Sequence, residues 1–188
     1  MSQMAKAMQV ADEEQASDLI TAATRHVALL AAVIATCGSL FFSQVLGWLP
    51  CELCWYQRIL MYPLVTLLAV SILRDDRNIH WYVLPLSLAG MAVSLYHFLL
   101  VLQVLPPPAC AGVPCSIDYL APYFTGPLSF IRIPSLAFAA FTIISVMMGN
   151  YAVAGAPSFG ARRRGAQIAA VAIVASVVLI FLGLAAAR

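Results

Sequence analysis

The chain alternates long apolar runs with short polar breaks. Apolar stretches cover about His26 to Leu49, Gln57 to Leu73, Trp81 to Leu105, Ile133 to Ala154 and Gln167 to Ala187. A helix rises about 1.5 Å per residue, so roughly 20 apolar residues cross a hydrocarbon core of about 30 Å. The pattern predicts an all-α, polytopic membrane four-helix bundle. The last run, 21 residues rich in Ala, Val and Ile, is long enough for a fifth C-terminal transmembrane helix.

Proline punctuates the runs. Pro106-Pro107-Pro108 stops the third, because proline cannot continue the backbone ladder, and Pro134 suits the first turn of the fourth. Pro63 falls in the first two turns of the second, where a membrane helix tolerates a kink if its neighbours satisfy the freed carbonyl. Three regions result. Residues 1–25, with Lys6, Asp12, Glu13, Glu14, Asp18 and Arg25, read as a cytoplasmic tail. Residues 26–155 form the four-helix core and carry two cysteine loops, 50–56 and 106–133. Residues 156–188 form a basic linker and the additional apolar helix.

Composition agrees with a bilayer. Hydrophobic residues make up 63% of the 188 and charged residues 10%, whereas soluble domains are about half apolar and a quarter charged. The formal charge of +2 is too small to argue for nucleic acid. The first 24 residues, polar and mixed in charge, have no cleavable signal pattern. Arg74 and Arg77 lie in the turn at 74–80, and Arg162-Arg163-Arg164 precede the last run. If the spans alternate, both groups share a side, and positive loops face the cytoplasm. The two cysteine loops then face outward, and a fifth span places the C-terminus outside.

Four of the five cysteines lie in polar loops. Cys51 and Cys54, three apart, can close a small disulfide or hold a metal. Arg58 follows Cys54 by one helical turn, and a fixed cation near a thiol favours the reactive thiolate. Cys110 and Cys115 are spaced to bond through a small loop with turn residues Gly112 and Pro114. They are either a structural staple or, given a second pair on the same side, a redox couple. His97 lies inside the third run, in the leaflet of Arg58, and an imidazole there is a functional candidate by default. Cys37, mid-span and without a partner at its depth, reads as a core residue, and His80 as a solvated turn residue.

The chain resembles the DsbB/BdbC family of bacterial disulfide-bond formation proteins over about residues 25–155. The resemblance rests on Pro50-Cys51-Glu52-Leu53-Cys54-Trp55-Tyr56-Gln57-Arg58, Tyr96-His97, Cys110 with Val113-Pro114-Cys115, and Ile131-Arg132-Ile133-Pro134-Ser135-Leu136-Ala137-Phe138. It implies a multi-pass protein of the bacterial cytoplasmic membrane that reoxidises a soluble DsbA-like thioredoxin-fold oxidase. Electrons would pass to a membrane quinone, ubiquinone or menaquinone, and so to the respiratory chain. By position, Cys54 meets the quinone, with Arg58 and His97 beside the head group. Cys110 forms the mixed disulfide with the partner, and Cys115 relays to Cys51. Arg132 receives no role.

Two other readings compete. A vitamin-K-epoxide-reductase-like enzyme would have its loop cysteines before the CxxC, and here the CxxC comes first. A non-enzymatic membrane protein could hold zinc through four cysteines. An oxidising compartment would convert those thiols to disulfides, and Arg58 disfavours a dication. No resident metal is expected.

Overall fold

A computed structural model describes residues 23–106, 113–123, 126–154 and 163–187. Most of the N-terminal tail, Cys110 and the linker through Arg162 lie outside the described residues. The described chain is helical, with five helices long and apolar enough to cross a membrane: α1 (Ala23–Val45), α2 (Glu52–Arg74), α3 (His80–Val101), α4 (Ile133–Ala154) and α5 (Arg163–Ala186).

Helices α3 and α4 pack most extensively, α2 lies against α3, and α5 lies against α2 and the end of α1. The core gathers Leu29, Leu64, Leu68, Ile72, Val83, Phe141, Ile144 and Met148, each almost fully buried. Lipid is as apolar as these side chains, so close packing and interhelical hydrogen bonds hold such helices together. Ser145 Oγ donates to Ser87 Oγ at 2.9 Å between α4 and α3, and both are buried. Gly90 serves the same contact. A Cβ there would run into the Phe141 ring. Gly90→Ala should therefore push α3 from α4 and cost about 1–3 kcal/mol. A lowered thermal midpoint in detergent, partly restored by adding Phe141→Leu, checks this.

Helix α5 buries Ala170 and Val177 but leaves Ile168, Val171, Leu179, Ile180 and Leu182 exposed. It is a peripheral fifth helix whose outer face meets lipid.

The two ends of the bundle differ. At one, Arg25, fully buried, donates to Asp75 Oδ1 at 3.1 Å and to the Asp76 carbonyl at 3.3 Å, with Tyr151 5.1 Å from its guanidinium carbon. His26 Nε2 meets the Ala166 carbonyl at 3.1 Å, and Gln167 donates to the Leu73 carbonyl at 2.8 Å. These contacts tie α1, the α2–α3 turn, α4 and α5 together. His80 belongs to this end. It is not a solvated turn residue: it opens α3, half-buried, its ring 6.2 Å from that of Tyr151.

At the opposite end, α1 widens into a π turn over Phe41–Val45, and Leu46 N–H donates to the Phe41 carbonyl at 3.1 Å. Gly47, at φ +70°, ends it. Helix α3 closes through Gln103 at φ +59°, and Arg132 Nη1 donates to the Val101 carbonyl at 2.9 Å. Arg132 also pairs with Asp118 at 3.3 Å. This arginine, without a role in the sequence, fastens the segment around Asp118 to the ends of α3 and α4.

Candidate active site

Helix α2 begins at Glu52 rather than near Gln57, so the CxxC is a helix N-terminus and not a loop. Cys51 is its N-cap. Its backbone is extended, and its sulfur accepts the Cys54 N–H at 3.4 Å, as a serine hydroxyl does at such a position. The free N–H groups and partial positive charge of a helix start favour an anion there. Cys54, one turn in, has its sulfur 3.2 Å from that of Cys51. Cys37, Cys51 and Cys54 are free thiols, and Cys115 is disulfide-bonded.

His97 lies four residues before the end of α3 and is almost fully buried. Its Nε2 stands 3.7 Å from Cys51 Sγ and 3.0 Å from the Cys115 carbonyl oxygen. Both are acceptors, so Nε2 carries a proton. Its Nδ1 faces the Gln57 amide nitrogen at 3.0 Å and accepts from it. The ring is neutral in this arrangement, and Gln57, buried on α2, sets its tautomer. Gln57 was present in the recognised motif, yet its role depends on a contact between residues 40 apart in sequence.

These contacts decide where negative charge resides. The Cys51 thiol is pushed down to about 4, first by the hydrogen bond from Cys54, with further help from His97 and against the cost of burial. The sequence reading puts the thiolate on Cys54 beside Arg58. In the reduced pair the charge rests on Cys51, because that sulfur receives the Cys54 thiol, the Cys54 backbone N–H and the His97 N–H.

Arg58 turns the other way. Its Nη2 donates to the Ser39 carbonyl at 3.1 Å, just before the π turn, and its guanidinium carbon lies 5.3 Å from the centre of the Trp55 ring. Arg58, Cys54 and Gln57 line a cavity of ≈ 470 Å³ with Phe42, Trp48 and Tyr119. That size falls within the usual range for small-molecule sites, about 300–1,000 Å³. The Trp48 ring stacks on Phe42 and on Tyr119, with centroids 5.2 and 5.3 Å apart, so the segment around Tyr119 helps close the cavity. Ile34, Leu136 and Ile143 also line it while exposed on the isolated chain, so the cavity reaches the lipid-facing surface. The two sulfurs thus face different neighbours. Cys54 lines the cavity, whereas Cys51 meets His97 and the Cys115 loop. The structure brings together Cys51, Cys54, Arg58, His97 and Cys115; His97 approaches Cys51 and does not line the cavity. Cys110 lies outside the described residues.

A helical membrane protein with a dithiol at a helix start, packed against a second, disulfide-bonded cysteine, defines a membrane thiol–disulfide exchange protein. Residues 21–186 match the family model described as disulfide bond formation protein DsbB, and the chain belongs to that family. It is 41% identical to disulfide bond formation protein C of Bacillus subtilis over 128 residues, 65% of this chain and 88% of that relative. It is 46% identical to the probable disulfide formation protein C of Halalkalibacterium halodurans over 122 residues, 62% of this chain and 84% of that relative. No solved structure matches it significantly. The chain is a disulfide-forming membrane oxidoreductase.

Proposed function

We propose that this protein reoxidises a soluble, DsbA-like thioredoxin-fold dithiol oxidase on the outer face of the bacterial cytoplasmic membrane. It passes the electrons to a membrane quinone. The observation that carries this reading is the division of the CxxC between two surroundings: Cys54 on an apolar cavity with Arg58, and Cys51 against the loop of Cys115.

Exchange runs by thiolate attack through mixed disulfides. The partner's thiolate attacks Cys110 of a Cys110–Cys115 disulfide and releases the Cys115 thiolate. The partner's second thiol then attacks the mixed disulfide, leaves as the oxidised partner, and frees Cys110. Cys115 attacks Cys51 of the oxidised CxxC and expels Cys54 as a thiolate into the cavity. Attack of Cys110 on Cys115 restores the outer disulfide and releases Cys51. Two electrons and two protons then go to the quinone as Cys51 and Cys54 rejoin. His97, held by Gln57, supports the Cys51 thiolate between these steps.

The quinone supplies a two-electron acceptor drained by respiration. The residues present suit it: an apolar cavity open to lipid, aromatic rings to flank a flat head group, and a permanent cation for a carbonyl oxygen. Anaerobic mixing of the purified protein with a reduced thioredoxin-fold partner and ubiquinone or menaquinone should bleach the quinone absorbance with one partner disulfide formed per quinone. An unchanged quinone spectrum refutes the reading. Arg58→Ala should raise the apparent KM for quinone about tenfold or more, and Arg58→Lys should rescue it in part, because a point charge lacks the planar fork. Equal KM values in wild type and Arg58→Ala would remove Arg58 from the quinone site.

The side of the membrane is part of this proposal. Cys51, Cys54 and Cys115 share one end of the bundle, opposite Arg74 and the start of α5 at Arg163. Under the positive-inside rule the arginine end is cytoplasmic. After mild reduction, an impermeant maleimide should label the loop cysteines in intact cells.

A further inference from the structure

We propose that the reduced protein carries a zinc-binding site formed by Cys51, Cys54 and His97, which holds the metal only while the CxxC is a dithiol and stops turnover when filled. The two sulfurs and an imidazole nitrogen lie within 4.8 Å of one another, at one end of the bundle. Zinc bonds are about 2.3 Å to sulfur and 2.0–2.1 Å to nitrogen, so a tetrahedral ion needs edges of about 3.5–3.8 Å. The distances of 3.2 Å between the sulfurs and 3.7 Å from Cys51 to His97 Nε2 are near those edges. The Cys54–imidazole edge lies within 4.8 Å, and a shift of about an ångström there lets the ion in.

Three features favour it chemically. Two thiolates and a neutral imidazole with Zn²⁺ make a unit of zero net charge, which limits the cost of burial. Gln57 can supply the outer contact that a metal-bound histidine needs. Its carboxamide now gives N–H to Nδ1, and a half-turn presents the oxygen instead, so Nδ1 keeps the proton and Nε2 offers its lone pair. Arg58, the nearby cation, is held by the Ser39 carbonyl and Trp55. The site differs from a resident four-cysteine zinc centre, since it uses a histidine and omits Cys115, which is in a disulfide.

Metal entry breaks no covalent bond. The one thiol proton that the pair still carries, on Cys54, leaves, and the ion takes both sulfurs. Neither can then form the Cys51–Cys54 disulfide, so the metal competes with reoxidation. His97 Nε2 also gives up the Cys115 carbonyl, which loosens the outer loop from the bundle.

The full chain in nanodiscs, with the CxxC reduced, is titrated with Zn²⁺ against a chromophoric chelator, and with Cd²⁺ to read thiolate charge-transfer absorbance. One equivalent is expected in the reduced protein and none in the same protein after oxidation of the CxxC, a comparison that needs no variant to fold. Gln57→Leu should weaken binding about 10–100-fold, and His97→Ala should weaken it further. Failure of the reduced protein to bind, equal binding by the oxidised protein, or unchanged affinity in His97→Ala overturns the site. No quinone or partner enters this measurement, so its outcome is separate from that of the electron path.

Discussion

Cys54→Ser should abolish quinone reduction completely, whereas Cys110→Ser should abolish oxidation of the soluble partner and leave quinone binding intact. The difference follows from the division of the sulfurs. Among the described residues Cys54 is the cysteine that lines the apolar cavity, and its sulfur lies 3.2 Å from that of Cys51. Serine keeps the size and the hydrogen bond to Cys51 but cannot form a disulfide or yield an electron pair. Cys51 is left as a thiolate facing Cys115, so it can attack Cys115 of the Cys110–Cys115 disulfide and expel the Cys110 thiolate; the resulting Cys51–Cys115 mixed disulfide should accumulate in Cys54→Ser before any partner is added and disappear with excess reduced partner. Its detection as a non-reducing mobility shift, lost in Cys54→Ser/Cys115→Ser, is the positive result. In Cys110→Ser, a small-molecule dithiol should still reduce the CxxC, and quinone should reoxidise it at the wild-type rate. Normal partner turnover in either single variant would refute the path.

Much of this site could be read from residue order, and the reasons are physical. Membrane spans announce themselves because about 20 apolar residues are needed wherever the chain crosses, so the α4 run at Ile133–Ala154 is visible without tertiary information. The CxxC and Arg58 are one turn apart, a local spacing. What could not be read depends on contacts across the bundle or on unusual caps. Hydropathy starts the second span near Gln57, and the Cys54–Arg58 spacing carries the helix back to about Cys54, but cysteine is not among the customary N-cap residues, so the cap at Cys51 is missed. Without that cap, the helix-start stabilisation of Cys51 is invisible and Arg58 draws the thiolate to Cys54. The Gln57–His97–Cys115 chain joins α2, α3 and the outer loop, and nothing in the order of the residues reports it. The π turn that brings Ser39 to Arg58 has no sequence signal either.

The second large effect concerns the ionisation of Cys51. In the reduced protein this thiol should ionise near pH 4, far below an ordinary thiol. The sign is that of a depressed acid: Cys51 is a thiolate above that pH and is protonated below it. The causes predict an order among variants. The hydrogen bond from Cys54 is the largest lowering influence, so Cys54→Ala should raise the midpoint furthest, because burial, which opposes ionisation, remains. His97→Ala removes a weaker hydrogen bond and should raise it less. Thiolate absorbance, followed from acid to alkaline pH in a Cys37→Ala, Cys110→Ser, Cys115→Ser background, reads each midpoint. The Cys115 contact with His97 is made by a backbone carbonyl, so it survives that background. The consequence reaches the redox chemistry. A disulfide whose reduced form is stabilised is a stronger oxidant, so the same contacts that lower Cys51 equip the CxxC to withdraw electrons from an already oxidising partner. His97→Ala, which raises the midpoint and keeps both sulfurs, should therefore make the CxxC easier to keep oxidised and, with Cys115 restored, slower to accept electrons from it. An ionisation midpoint in the ordinary thiol range in the parent background, or the reverse order of the two variants, would break the link between this hydrogen-bond network and the oxidising strength of the pair.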